Sequence, residues 1–365
     1  MSVSQIHVKR NQAALKGRGT ALNPPNRFET ASRVAFDDGW DHEETDLKPR
    51  TSLIKDATRS IITRNDSPDI QFSSSINPYR GCEHGCIYCF ARPSHAYLGF
   101  SAGLDFETRI IFKPEAPRLL EKELSRPHYK PSVIVLGSNT DPYQPAERSL
   151  GLTRVILEVL ERFNHPVGII TKSATVWRDH DILARMSAKG LARVHVSLTT
   201  LNPDLARAME PRAASPKRRL ETISILAASG VRTGVMASPM IPGLNDAELE
   251  TILEEATQAG ATSAATVLLR LPHELGDLFS DWLQNYLPER ATHILSLIRQ
   301  TRAGALNDAA FHNRFQGNGA YATLLAQRFQ KAIKRLGLDK AEASLDLSQF
   351  RVPGRAAAHL QMNLF

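Results

Sequence analysis

The sequence predicts an α/β fold: an open partial TIM barrel of about six βα units, with a parallel sheet covered by helices. Three observations carry this expectation. Apolar runs of strand length recur through the middle of the chain, helical patterns separate them, and a small polar group follows each run. The runs start about thirty residues apart, the length of one strand plus one helix.

In chain order the first strand is sought in "SSINPYRG" (74–81), which begins the series. "SVIVLGSN" (132–139), "PVGIITKS" (166–173), "RVHVSLTT" (193–200), "RTGVMASPMI" (232–241) and "SAATVLLRLP" (263–272) continue it. Helical patterns occupy "SLGLTRVILEVLERF" (149–163), "PKRRLETISILAASG" (216–230) and "DAELETILEEATQAG" (246–260). Gly230 and Gly260 are natural helix stops and Asp246 is a candidate N-cap. The polar groups at the strand ends are Asn139, Thr140 and Asp141; Thr171, Lys172 and Ser173; Ser197 and Thr199; Ser238; and Arg270. In a βα barrel these ends converge on one mouth, where substrate sites are built. Six units are too few to close an eight-stranded barrel, so the expected barrel is open.

Around this core (66–298) the sequence divides into an irregular N-terminal arm (1–65) and a basic helical extension (299–365). The arm combines the loop-like "KGRGTALNPPNRFE" with the acidic "DDGWDHEETD". In the extension, "YATLLAQRFQKAIKRLG" (321–337) reads as an amphipathic helix. Tyr321, Leu324, Leu325, Phe329 and Ile333 form its apolar stripe, and Arg328, Lys331 and Arg335 form a basic one. Ten Lys/Arg against four acids from residue 299 onward give this part +6 of the net +7. Such a surface suits an anionic partner, nucleic acid first, or is simply solvated. The apolar (42%) and charged (23%) shares are those of an ordinary globular protein. No apolar run approaches a membrane span, and the first thirty residues lack the apolar stretch of a secretion signal. The expected location is the cytoplasm, where thiols stay reduced and clustered cysteines point to metal or redox chemistry.

All three cysteines, Cys82, Cys86 and Cys89, stand within "GCEHGCIYCFARP" (81–93), in the loop after the first strand. A structural zinc wants four ligands and must recruit His84 or His95. A cubane iron–sulfur cluster held by three thiolates keeps one iron open for a substrate or cosubstrate. Spacing alone leaves both open. A loop at a barrel mouth favours the cluster.

C-x3-C-x2-C with an aromatic before the last cysteine (Tyr88), in a loop opening a (β/α)6 domain, resembles the signature of the radical S-adenosylmethionine (SAM) enzymes. "NPYRGCEHGCIYCFARPSH", "DFETRIIFKP", "GSNTDPYQPAE", "ITKSATVWRD", "VSLTT", "MEPRAASPKRRL" and "MIPGLND" extend the likeness from about residue 60 to 320. They resemble the DNA-repair-photolyase-like branch related to spore photoproduct lyase. The resemblance implies a [4Fe–4S] cluster on Cys82, Cys86 and Cys89. One iron chelates the methionine end of SAM, and reduction by an electron donor releases a 5′-deoxyadenosyl radical that abstracts hydrogen from substrate. It further implies SAM contacts at Thr140 and Asp141 (amino end), Lys172, Ser197 (ribose side), and Pro242, Gly243 and Asn245 (adenine side). Glu210 and Arg212 are implied as an ion pair or as holders of SAM's ends. The competing reading of the same residues is a zinc or iron–sulfur nucleic-acid-associated module without SAM turnover.

The sequence departs from that branch at two points. Spore photoproduct lyases return hydrogen through a cysteine on the second strand and carry a tyrosine after the third cluster cysteine. Here the strand end reads "GSNTD", Phe90 follows Cys89, and no further cysteine exists. If hydrogen is returned to a product, Tyr97 and Tyr143 are the candidate relays. Finally, Gln361, Met362, Leu364 and Phe365 in "QMNLF" resemble the peptide by which bacterial repair proteins bind the DNA sliding clamp, a Gln amide with apolar anchors.

Overall fold

The structure, a computed structural model, describes residues 15–29, 49–339 and 344–354. Its strands are β1 (Ser52–Lys55), β2 (Ile62–Arg64), β3 (Ser74–Ile76), β4 (Tyr79–Arg80), β5 (Arg109–Phe112), β6 (Ile134–Leu136), β7 (Val167–Thr171), β8 (Ala192–Ser197), β9 (Arg232–Met240) and β10 (Ser263–Leu268). The main sheet runs β10-β9-β8-β7-β6-β3-β2. Its pairings are parallel from β3 through β10, and β2 adds antiparallel to β3 at the edge. Five of the six parallel strands fall on the five apolar runs, and the sixth, β3, falls in "SSINPYRG". β2 and β10 sit at opposite edges, so the barrel is open.

Register explains why the runs are so apolar. Ile76, Leu136, Ile169 and Val194 lie side by side across four strands. All four are fully buried, in the core beneath the helices. Helix Leu152–Arg162 faces that layer with Ile156, Leu157 and Leu160, while Leu152 packs with Tyr79 and Ile110 by the small sheet. Helix Pro216–Ala228 starts where the Ser215 side chain accepts from the Arg218 amide and Pro216 fills the first turn. Gly230 and Gly260 adopt positive φ (+80° and +104°) just past two helices, as expected of stops.

Several expectations are corrected. The helix sought over 149–163 is broken at Gly151, which sits at φ +63° between Glu147–Leu150 and Leu152–Arg162. Asp246 caps no helix; its carboxylate accepts from the Tyr321 hydroxyl at 2.5 Å. The arm is not irregular throughout, because β1 and β2 fall inside 1–65. β1 pairs with β5, and β5 with β4, in a second small sheet. Residues 15–29 dock on the cysteine loop. Arg18 donates to the Glu107 carbonyl at 2.8 Å, and a Cβ on Gly19 would stand 1.8 Å from the Gly85 carbonyl oxygen. The acidic run at 37–46 lies outside the described residues.

Helix Gly319–Leu336 packs against helix Leu249–Gln258 through Leu325, Phe329 and Ile333, but Leu324 of the expected stripe is exposed. Its basic stripe is largely committed to the protein itself. Arg328 bonds Glu250 at 2.6 Å and Arg335 bonds Glu254 at 2.5 Å. Among the described residues no helix is long and apolar enough to cross a membrane.

Candidate radical-chemistry site

The cysteine loop follows β4 at the C-terminal end of the sheet, and buried polar side chains pin it from every side. Gln144, in the loop after β6, straddles Cys82. Its Nε2 donates to the Gly81 carbonyl at 3.1 Å and its Oε1 accepts from the Glu83 amide at 2.9 Å. Arg92 is fully buried and donates to the carbonyls of Cys86 (2.9 Å), Gly85 (3.0 Å) and Gly103 (3.0 Å) while pairing with buried Glu107. The Ile87 amide donates to the Met209 carbonyl at 3.0 Å, which ties the loop to the segment beyond β8. A loop with so many unpaired backbone groups can be buried only if such partners exist.

Cys82 and Cys86 are buried and Cys89 is half-buried. Burial pushes the Cys82 thiol well up, and Asp141 and the other two cysteines push it further. Burial and Glu210 push Cys86 up, opposed by Lys172. Buried thiols of this kind are inert unless a metal displaces their protons. The donor set therefore fits an iron–sulfur cluster. His84 and His95, which a zinc site would recruit, each keep a buried Nδ1 without a hydrogen-bond partner among the described residues. His84 Nδ1 faces Asp141 Oδ2 at 3.3 Å, and His95 Nε2 bonds the Arg109 carbonyl at 3.0 Å. Among the described residues no three His, Cys, Asp or Glu side chains are grouped as ligands of one ion.

The strand ends supply the rest. Lys172 Nζ lies 5.8 Å from the centre of the Tyr88 ring. The Tyr88 hydroxyl bonds Glu210, which also accepts from Thr199 at 2.7 Å and pairs with buried Arg219. Arg219 in turn donates to the Ser197 carbonyl at 3.0 Å. Ser238 Oγ, near the end of β9, is buried with no hydrogen-bond partner among the described residues.

Other candidates make bonds within the fold. Thr140 Oγ1 donates to the Tyr79 carbonyl at 2.8 Å. The Asp141 carboxylate accepts from Thr171 Oγ1 and from the Lys172 amide, each at 2.7 Å, and joins the loop after β6 to the end of β7. Burial opposes its charge, but His84 and these donors hold its pKa down at about 2. Ser197 Oγ bonds the Ser238 carbonyl at 3.3 Å. Asn245 donates to the carbonyls of Thr199 (2.6 Å) and Pro239 (2.9 Å), locking the turn that holds Pro242 and Gly243. The expected Glu210–Arg212 pair does not form. Glu210 takes Arg219, whereas Arg212 bonds Glu83 at 3.0 Å.

The tyrosines separate. Tyr97 is 74% exposed and packs on Phe28 of the arm, away from the strand ends. Tyr143 is fully buried, and among the described residues its hydroxyl makes no well-formed hydrogen bond, with Asp179 its nearest acceptor. Burial, then the Asp179 carboxylate, raise it well above its ordinary value. It lines a cleft of about 440 Å³ with His84, Ser173, Trp177 and Arg212. Sequence reasoning missed Gln144, Arg92, Glu107 and Arg219. All four stand inside motifs already singled out, "GSNTDPYQPAE", "CFARPSH", "DFETRIIFKP" and "MEPRAASPKRRL". Residues 355–365, with the clamp-like peptide, lie outside the described residues.

Comparison with known proteins fits this geometry. The model of the Radical SAM superfamily matches residues 76–256. An uncharacterized protein of Mycobacterium tuberculosis (strain ATCC 25618 / H37Rv) is 36% identical over 233 residues, 63% of this chain and 68% of the relative. The Radical SAM Nalpha-GlyT isomerase of Pseudomonas phage M6 is 20% identical over 255 residues, 68% of this chain and 51% of the relative. Among solved structures, spore photoproduct lyase complexed with dinucleoside spore photoproduct has a TM-score of 0.58 at 14% identity, over 78% of this chain and 79% of that one. The fold is thus shared with that lyase.

Proposed function

The chain belongs to the radical SAM superfamily, and on that premise we propose that it is an enzyme that abstracts hydrogen from a nucleic-acid substrate, in lesion repair or base modification. The observation that carries the reading is the set of three thiols pinned in one loop over the ends of six parallel strands. Cys82, Cys86 and Cys89 would hold a [4Fe–4S] cluster. With SAM bound and an electron supplied by a donor, that cluster provides reductive cleavage and a hydrogen-abstracting radical.

This chain's own residues position and shield. Lys172 brings a positive charge over the Tyr88 ring and beside Cys86, where a carboxylate would be held. Ser238 Oγ offers a hydrogen-bonding group at the mouth, unused among the described residues. Asp141, Ser197 and Asn245 act one step back by fixing the loops that carry the contacts. Glu210 fixes Tyr88 and is itself neutralised by Arg219. Tyr143, which lines the cleft, is the better placed of the two relay candidates.

The nucleic-acid part of the reading draws on the net charge of +7 and on the lyase structure determined with a dinucleoside photoproduct. The test is anaerobic reconstitution with iron and sulfide followed by measurement of 5′-deoxyadenosine after reduction. Wild type should form it, and Cys86→Ala should lose it by at least about 100-fold, a barrier increase of roughly 3 kcal/mol. Tight stoichiometric zinc with no SAM turnover would sink the reading. Deuterium moving from labelled oligonucleotides into 5′-deoxyadenosine identifies the substrate. As a partner we propose the DNA sliding clamp, through Gln361, Met362, Leu364 and Phe365. Deleting 361–365 should abolish clamp binding and leave SAM cleavage intact.

A further inference from the structure

One cation at the mouth is not accounted for by the machinery above. Arg270 follows β10, and among the described residues its guanidinium has no carboxylate partner and no hydrogen bond. Its contacts are two rings, Phe90 at 4.7 Å and Phe315 at 5.1 Å from the ring centres. Arg314 lies over the other neighbours of this series, 4.8 Å from Phe315 and 5.0 Å from Phe311. The result is an alternating ladder, Phe90–Arg270–Phe315–Arg314–Phe311, assembled from the cysteine loop, the end of β10 and the segment after residue 310. Its two ends are exposed rings, 42% for Phe90 and 53% for Phe311.

The two arginines differ. Arg314 is held by Asp69, with Nε 2.8 Å from Oδ2, and so carries a structural pair. Arg270 is half-buried and, among the described residues, has no hydrogen bond or ion pair, and its guanidinium carbon lies over two rings. Its N–H donors are therefore uncommitted among the described residues and suit a phosphate or carboxylate. Exposed aromatic ends beside an unpaired guanidinium are the combination that binds single-stranded nucleic acid, bases on rings and phosphodiester on arginine. A base inside a duplex already has both faces stacked and cannot reach such rings.

We propose that this ladder is a docking platform for an unpaired stretch of polynucleotide, with Arg270 on a phosphodiester and Phe311 under a base. The platform sits beside Cys89, so the bound strand lies next to the reaction centre. The proposal rests on the nucleic-acid reading above and adds to it a site and a preference for single strands over duplex.

The test is fluorescence anisotropy of the full chain with an unmodified labelled thymidine 15-mer and with a duplex of the same length, over a series of salt concentrations. Wild type should bind the single strand more tightly than the duplex. Phe311→Leu, which keeps bulk but removes the ring, should weaken single-strand binding about tenfold, and Phe311→Trp should restore it. Arg270→Gln should weaken binding and lower the salt slope by about one counterion. Far-UV circular dichroism checks that each variant is folded.

Wild-type binding unchanged in Phe311→Leu and Arg270→Gln overturns the platform but leaves a nucleic-acid substrate standing. Equal binding of duplex and single strand overturns the preference that defines it. No binding of either oligonucleotide by wild type overturns both readings together. If Arg270→Gln binds oligonucleotide normally but loses 5′-deoxyadenosine formation, Arg270 serves the cosubstrate and the proposal falls.

Discussion

Buried ion pairs gather around the cysteine loop at the C-terminal ends of the parallel strands, whereas a cluster of packed aromatic rings lies at their N-terminal ends. The first end holds Arg92–Glu107, Glu210–Arg219 and Asp141 around the cysteine loop. The second holds Tyr129, Phe163, His165 and Phe350 packed ring against ring, with ring centres 5.4 to 6.3 Å apart in the pairs that Phe350 makes. The segment 344–354 closes that end, where the Arg351 amide bonds the Phe163 carbonyl at 2.9 Å. Buried ion pairs are a poor source of stability, because desolvation offsets most of their attraction. Their concentration at one end indicates a requirement for fixed position, and the aromatic end supplies burial without one. One sheet thus separates chemistry from stability along its own axis.

The largest break in this contrast should come from Arg92→Ala. It strands Glu107 in the interior and frees the carbonyls of Gly85 and Cys86, at a cost of about 3–5 kcal/mol in urea unfolding. A loss under about 1 kcal/mol would mean the charged end tolerates disruption like a surface.

The aromatic end should respond instead to acid. The Tyr129 hydroxyl donates to His165 Nε2 at 2.8 Å and His165 Nδ1 donates to the Pro166 carbonyl at 3.0 Å, so the ring is fixed as the neutral tautomer. Burial lowers its pKa to about 4. The unfolded chain takes up a proton near pH 6.5 that the folded chain refuses until about pH 4. Its contribution is complete above pH 6.5 and is lost as pH falls through that window, about 3 kcal/mol in all. His165→Gln should flatten the stability–pH curve between those limits, and an unchanged slope would reject the assignment.

A smaller effect sharpens the mouth. Tyr88→Phe removes one donor to Glu210 and should cost about 2 kcal/mol, read from thermal unfolding. The least is expected outside both ends. Arg335→Ala breaks an exposed pair with Glu254 and should cost under about 1 kcal/mol.

Much of this contrast was legible beforehand. Five of the six parallel strands coincide with the five apolar runs because a strand covered on both faces is mostly apolar, while β3 (Ser74–Ile76) was found by its place in the series. The cysteine loop was legible because three thiols in eight residues have few bland explanations. The partner choices were not. Glu210 and Arg212 look paired by proximity in sequence, yet Glu210 bonds Arg219, and Arg212 bonds Glu83 from a loop far away in the chain. The basic stripe of the C-terminal helix invites phosphate, yet two of its arginines are spent on helix Leu249–Gln258. Arg270, one cation among many in the sequence, is left unpaired at the mouth.

By itself the sequence determined the class of fold, the loop that carries the thiols and the edge where polar groups gather. These follow from periodicity and local spacing, which act over a turn or a strand. Only the tertiary structure decided which buried charge meets which, which tyrosine is enclosed, and where an aromatic ladder assembles. Those outcomes depend on side chains brought together across hundreds of residues, and desolvation rather than sequence distance selects the pairs.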